Sequence, residues 1–113
     1  MKYIFIFCCL LIAPIAQAQD TFSIVAVDSA TGEVGSAGAT CLQAPNPPEG
    51  ALIISDVLPG IGAAHTQALW NANNQSYLHD LMLLPFSPQH ILSEVNVSDW
   101  DGDSTIRQYG IAR

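Results

Sequence analysis

Basic side chains are almost missing from this chain. Only Lys2, Arg107 and Arg113 carry Lys or Arg chemistry across 113 residues, against ten Asp and Glu, for a formal net charge of −7. Binding to a polyanion depends on cations that neutralise phosphates, so this composition excludes nucleic acid and gives little hold on anionic lipid. Cysteine is scarce too, at Cys8, Cys9 and Cys41. Two of the three lie in the N-terminal apolar stretch, which leaves Cys41 without a partner in the rest of the chain and excludes a disulfide framework. Cys41 reads as a small buried apolar residue. Long apolar runs are absent as well: "YIFIFCCLLIA", residues 3–13, has eleven residues, well short of the roughly 20 that span a bilayer as a helix.

What is present at the N-terminus is the three-part pattern of a secretory signal: Lys2, the apolar run, and Ala16-Gln17-Ala18 as a small-x-small cleavage site. Pro14 breaks the apolar helix and delivers the site in extended form. Residues 1–18 are therefore expected to be a signal peptide and 19–113 a single small domain. That domain would be secreted or periplasmic in a bacterium, with no stable membrane insertion after processing. Neither Cys8 nor Cys9 follows the small residues of a lipoprotein site. A domain of this size buries only about 60–65% of its unfolded surface, so its stability margin is thin.

Periodicity divides the remainder. "TFSIVAVD" is β-branched and aromatic with apolar residues on both faces, which predicts a strand covered on both sides. "SATGE" predicts a turn, and "VGSAGATC" a returning strand of small residues, whose backbone something must approach closely. "QAPNPPEG" is a loop by composition. "ALIISDV" and "IGAAHTQAL" predict a second strand pair joined at Leu58-Pro59-Gly60. From Asn73 the period becomes helical, with Leu78, Leu81 and Met82 on one stripe and Pro85 at the end. Ser87-Pro88 opens a second helix with Ile91, Leu92 and Val95 on one face. "STIRQYGIAR" predicts a last strand, which either pairs internally or offers an open edge for homo-oligomer formation.

Cofactor and metal patterns fail on inspection. Gly60 and Gly62 lack the third glycine of a dinucleotide fingerprint, His65 standing in its place. Asp99, Asp101 and Asp103 start like a calcium loop, but Ser104 and Gly110 occupy the places that need glycine and glutamate, so a solvated loop is expected. His79 and His90 have no ligand spacing to another His or Cys. No cofactor and no metal is expected. Asn74-Gln75-Ser76 and Asn96-Val97-Ser98 are glycosylation sequons.

Taken in order, "TFSIVAVD" with "TGEVG", "PGIGAAHTQA", "SPQHIL" and "IRQYGIA" resemble the domain of unknown function 1028 family over residues 21–113. That group's fold is similar to the N-terminal-nucleophile hydrolases. The resemblance implies an α+β fold, a layered αββα sandwich of mainly antiparallel sheet with helices outside. It also implies further strands past "RQYG", so that this chain corresponds to the first part of such a domain, an incomplete or truncated one. Relatives place the threonine of "TFSIVA" directly after the initiator or the signal site, whereas Gln19 and Asp20 intervene here.

The implied chemistry is amide or peptide hydrolysis with a small amide or peptide as substrate. An N-terminal threonine attacks through its hydroxyl while its own amine, with a pKa near about 8, takes the proton. Thr21 fills that role only if trimming frees its amine. His65, Thr66 and Gln67 follow the tight turn, and the family carries a Thr-Gln pair at the matching place. His65, Thr66 and Gln67 are therefore candidates for an oxyanion hole or substrate contacts. A Ser55, Asp56 and His65 triad is disfavoured, because adjacent strand residues point to opposite faces and no G-x-S-x-G elbow is present. The rival readings are a non-catalytic binding or assembly module, or an inactive fragment of a longer protein.

Overall fold

A computed structural model describes residues 21–40 and 49–113. The expected signal peptide, Gln19-Asp20, Cys41 and most of the proline-rich loop lie outside the described residues.

The chain opens with β1 (Thr21–Val27) and β2 (Val34–Thr40), paired antiparallel from Thr21↔Thr40 to Val27↔Val34. Their turn closes as its residues dictate. The Asp28 carboxylate accepts from the amides of Ala30 and Thr31, and the Asp28 amide donates to Glu33 O at 2.8 Å. The second sheet has the order β3-β4-β5, built from β3 (Ser55–Leu58), β4 (Gly62–Ala68) and β5 (Arg107–Ala112), all antiparallel. The β3–β4 turn depends on Gly60, whose φ of +74° would strain any residue with a Cβ, and the Ile61 amide closes it on Leu58 O at 3.0 Å. The last strand thus pairs internally with β4.

Between β4 and β5 run α1 (Ala72–Met82) and α2 (Pro88–Val97). Asn71 caps α1 by accepting from the amides of Asn73 and Asn74, and Ser87 caps α2 through the amide of His90, with Pro88 in the first turn. The expected stripes face inward, except that Leu92 is only half-buried and stands outside the buried cluster. Leu78, Leu81, Met82, Ile91 and Val95 are buried with Ala64, and Leu58, Tyr77, Phe86, Tyr109 and Ile111 close the periphery. This is the core, held between the helices and one face of β3-β4-β5. Leu78 is fully buried, so Leu78→Ala would cost about 2–5 kcal/mol, a large share of a small domain's stability.

Strand alternation sends Ala64 and Thr66 to the helix side of β4, and Ala63, His65 and Gln67 to the side of the β1–β2 hairpin. Hydrogen bonds from Ser23 to Gln67 and between Ser36 and His65 bridge the two sheets. Helices, one three-stranded sheet and one hairpin therefore stack in that order, a mixed α+β arrangement with antiparallel sheets as expected. Small side chains on β2 admit a neighbour at Gly38, where a Cβ would come within 3.3 Å of Ile54 Cδ1.

Three strand expectations need correction. β1 is covered on one face only among the described residues: Phe22 and Ile24 are 70% and 64% exposed, and their cross-strand partners are Ala39 and Ala37. An apolar residue on both faces therefore did not imply a layer on both. The run "ALIISDV" is also not one strand. Gly50–Ile54 forms a 3₁₀ helix that buries Ile54, and pairing begins only at Ser55. A short apolar run has no periodicity that separates the two outcomes. Likewise Ser104–Ile106 is a 3₁₀ turn, and β5 starts at Arg107.

Candidate functional site

Thr21 stands at the head of β1, directly opposite Thr40 at the end of β2, and the two hydroxyl oxygens are 3.1 Å apart. The next inward residue on β1 is Ser23, whose hydroxyl donates to Gln67 Oε1 at 2.9 Å; Gln67 Nε2 in turn donates to Gln108 Oε1 at 3.0 Å. Gln67 is thus fixed at both ends of its amide. A small cavity of about 50 Å³ opens where the strand ends meet, with Thr21, Thr40, Gln67, Ala68 and Trp70 in its wall. Two of the four residues singled out from the sequence, Thr21 and Gln67, therefore line one space, and His65 and Thr66 do not.

His65 lies elsewhere on the same face of β4. Its Nε2 is 2.6 Å from Ser36 Oγ and 3.0 Å from Ser55 Oγ, and the two hydroxyls are themselves 2.7 Å apart. The imidazole is 2% exposed, and burial pushes its pKa down, which favours the neutral ring. A neutral Nε2 next to two hydroxyls is a closed polar knot between the sheets. No hydrogen bond joins it to Thr21. Thr66 faces the helices, where its hydroxyl is buried without a partner among the described residues.

Ser55 and Asp56 diverge as adjacent strand residues must. Ser55 meets His65, whereas Asp56 Oδ2 takes His79 Nδ1 of α1 at 2.8 Å on the helix side. The triad of Ser55, Asp56 and His65 is not assembled.

The acidic loop is not simply solvated. The Asp99 side chain is 2% exposed, and its carboxylate accepts from Arg107 Nε at 2.9 Å and from the amides of Asp101 and Asp103. Arg107 also pairs with Asp101 and donates to Leu69 O. The guanidinium thus pairs with two carboxylates of the loop. It holds the Asp99 carboxyl down at about 2. Arg113 is also engaged, donating to Leu84 O and Phe86 O. Among the described residues no group of three His, Cys, Asp or Glu is placed to hold a metal. The sequon at Asn74 is closed by burial: Asn74 is 4% exposed and bonded to Asp99 and to the Trp100 amide.

Sequence reasoning missed Thr40, Ser23, Ser36 and Gln108, all of which complete polar contacts across strands. Their signal is register, and register becomes visible only once the hairpin length is fixed. Ala68 was missed too: it ends β4 at φ +69°, the one non-glycine residue with positive φ among those described.

Comparison with known proteins gives one assignment. Residues 21–113 match the family of unknown function DUF1028, and the chain belongs to that family. No match was found among curated proteins or among solved structures.

Proposed function

We propose that this DUF1028 chain is an exported amide hydrolase whose nucleophile is Thr21, set free as an N-terminal residue by removal of everything before it. The observation that carries this reading is the position of Thr21. It begins the first strand, its hydroxyl is 3.1 Å from that of Thr40, and it shares a small cavity with a doubly fixed Gln67. An N-terminal threonine needs its hydroxyl oriented and its amine nearby, and only residue 21 can bring both to this cavity. The basic start, apolar run and Ala16-Gln17-Ala18 site support export.

The reaction proceeds in two balanced steps. Thr21 Oγ1 attacks the substrate carbonyl carbon, and its proton passes to the free α-amine. The C–N bond then breaks, the departing amine takes that proton, and an ester to Thr21 remains. Water adds to the ester carbonyl, the Thr21 α-amine, now unprotonated again, accepts the water's proton and returns it to Oγ1 as the C–Oγ1 bond breaks, and the acid leaves. Thr40 orients the nucleophilic hydroxyl. Gln67 shapes the wall, its side chain held by Ser23 and Gln108. His65 acts from a distance, by holding the two sheets at the spacing that brings β1 and β4 together.

N-terminal sequencing of the exported protein, combined with turnover of a panel of chromogenic amides, tests the reading. The expected result is a Thr21 start and activity that Thr21→Ala abolishes. Turnover by a protein that still begins at Gln19, or turnover that survives Thr21→Ala, overturns it.

A further inference from the structure

α1 carries two stripes. One faces the core; the other, Asn73, Ser76, Tyr77 and Asp80 at helical spacing, meets Ser98 and Trp100 beyond the end of α2. Together they enclose an open groove of about 470 Å³, within the range of small-molecule sites, about 300–1,000 Å³.

Trp100 is 69% exposed, an unfavourable place for a large indole. Its backbone is nonetheless firmly anchored. The Trp100 amide donates to Asn74 Oδ1 at 2.8 Å, Asn74 is itself buried and donates to Asp99, and Asp99 is locked to Arg107. The indole therefore projects into the groove from a backbone pedestal fixed by buried polar groups, so binding has only the side chain left to order.

The chemistry of the rim restricts the ligand. Asn73 offers amide donors and an acceptor, Ser76 and Ser98 offer hydroxyls that do both, and Asp80 only accepts. Among the described residues no Lys or Arg lines the groove, so phosphates and carboxylates find no counter-charge there. A quaternary ammonium would use the rings and Asp80 but leave the donors of Asn73, Ser76 and Ser98 without work. A sugar ring uses everything: its C–H face stacks on the negative face of an indole, and its hydroxyls, both donors and acceptors, exchange hydrogen bonds with the rim.

We infer that this groove binds a neutral saccharide, one ring stacked on Trp100 and its hydroxyls bonded to Asn73, Ser76, Asp80 and Ser98. The site is separate from the Thr21 cavity and does not depend on catalysis there.

Calorimetry and indole fluorescence on the full exported chain test this, with cellohexaose, maltohexaose and chitohexaose as probes and tetramethylammonium as the rival ligand. Binding of at least one hexaose in the millimolar range or tighter is expected, weakened about tenfold or more by Trp100→Ala and by Asp80→Asn. Ser76→Arg fills the groove without touching the pedestal, and the same loss is expected from it. Circular dichroism should be unchanged in all three, since Trp100, Asp80 and Ser76 are exposed. The inference is overturned by no response to any hexaose at about 10 mM, by binding that survives both Trp100→Ala and Ser76→Arg, or by a groove that takes tetramethylammonium alone.

Discussion

Ser36 of β2 and His65 of β4 meet in the space between the two sheets, Oγ to Nε2 at 2.6 Å, and Ser55 of β3 closes the triangle. Three strands from both sheets are thus tied at one buried imidazole. The contact suits a neutral ring, and burial holds the pKa of His65 below its ordinary value of 6.5. The unfolded chain then binds the proton more readily than the folded one. Stability from this knot is fully present above pH 6.5 and declines as pH falls below it. Thermal midpoints measured from pH 7.5 downward should begin to fall near that value, and His65→Gln should remove this part of the slope. Its absolute cost at neutral pH should be about 2–4 kcal/mol, from lost packing and unmade hydrogen bonds. A midpoint flat down to pH 5 would contradict the assignment of a neutral buried ring.

A second acid transition should lie well apart from the first. Arg107 holds the Asp99 carboxyl down at about 2, from an ordinary 3.8. A carboxyl shifted down contributes stability that is present above its unfolded value and is lost as pH falls towards the folded one. The window therefore runs from about 4 to about 2. Asp99→Asn should erase it, and should also lower the thermal midpoint at neutral pH, because Arg107 would be left buried with one fewer carboxylate and the Trp100 pedestal would loosen. Arg107→Lys should fall short of wild type, since one ammonium cannot reach Asp99, Asp101 and Leu69 O together.

The two periodicities were the legible part of this chain. Leu78, Leu81 and Met82 specify the buried face of α1, and Ser87-Pro88 the start of α2, because both are local rules of spacing and capping. The Asp28-to-Gly32 turn and Pro59-Gly60 likewise follow from φ preferences. Ile54 was not legible: a 3₁₀ turn and a strand bury it equally well, and the space it fills is left by Gly38 on a different strand. Nor was Arg107, whose partner Asp99 lies eight residues earlier with a turn between. Thr21 and Gln67 were legible as polar residues on apolar strands. Their shared cavity, and the diversion of His65 to Ser36 and Ser55, depend on how two sheets stack, and no local pattern encodes that.

Thr66 gives a separate test of which face of β4 carries chemistry. Its hydroxyl is buried on the helix side, opposite Tyr109, with no partner among the described residues. An unsatisfied buried hydroxyl destabilises, and valine has nearly the same shape without it. Thr66→Val should raise stability by about 1 kcal/mol in urea denaturation and leave amide turnover unchanged. A drop in turnover would place Thr66 in the reaction and would require its side chain to reach the other face.

Ala68 tests whether the end of β4 is strained in order to shape the Thr21 cavity. At φ +69° its Cβ is crowded by its own backbone, a conformation that costs an ordinary residue about 1–2 kcal/mol. The surroundings enforce it: the Leu69 amide donates to Ile106 O at 3.3 Å, Arg107 donates to Leu69 O, and Gln67 just before is fixed by Ser23 and Gln108. Glycine at this position removes the crowding, while the greater freedom of the unfolded chain takes back about 0.4–1 kcal/mol. Ala68→Gly should therefore stabilise by up to about 1 kcal/mol, read as a higher denaturation midpoint with an unchanged slope. Because Ala68 lines the wall together with Thr21 and Gln67, the same variant should lower kcat for amides while leaving the N-terminal processing intact. A destabilised Ala68→Gly would mean that the positive φ is relieved by contacts its methyl makes, and that no strain is held at this end of the strand.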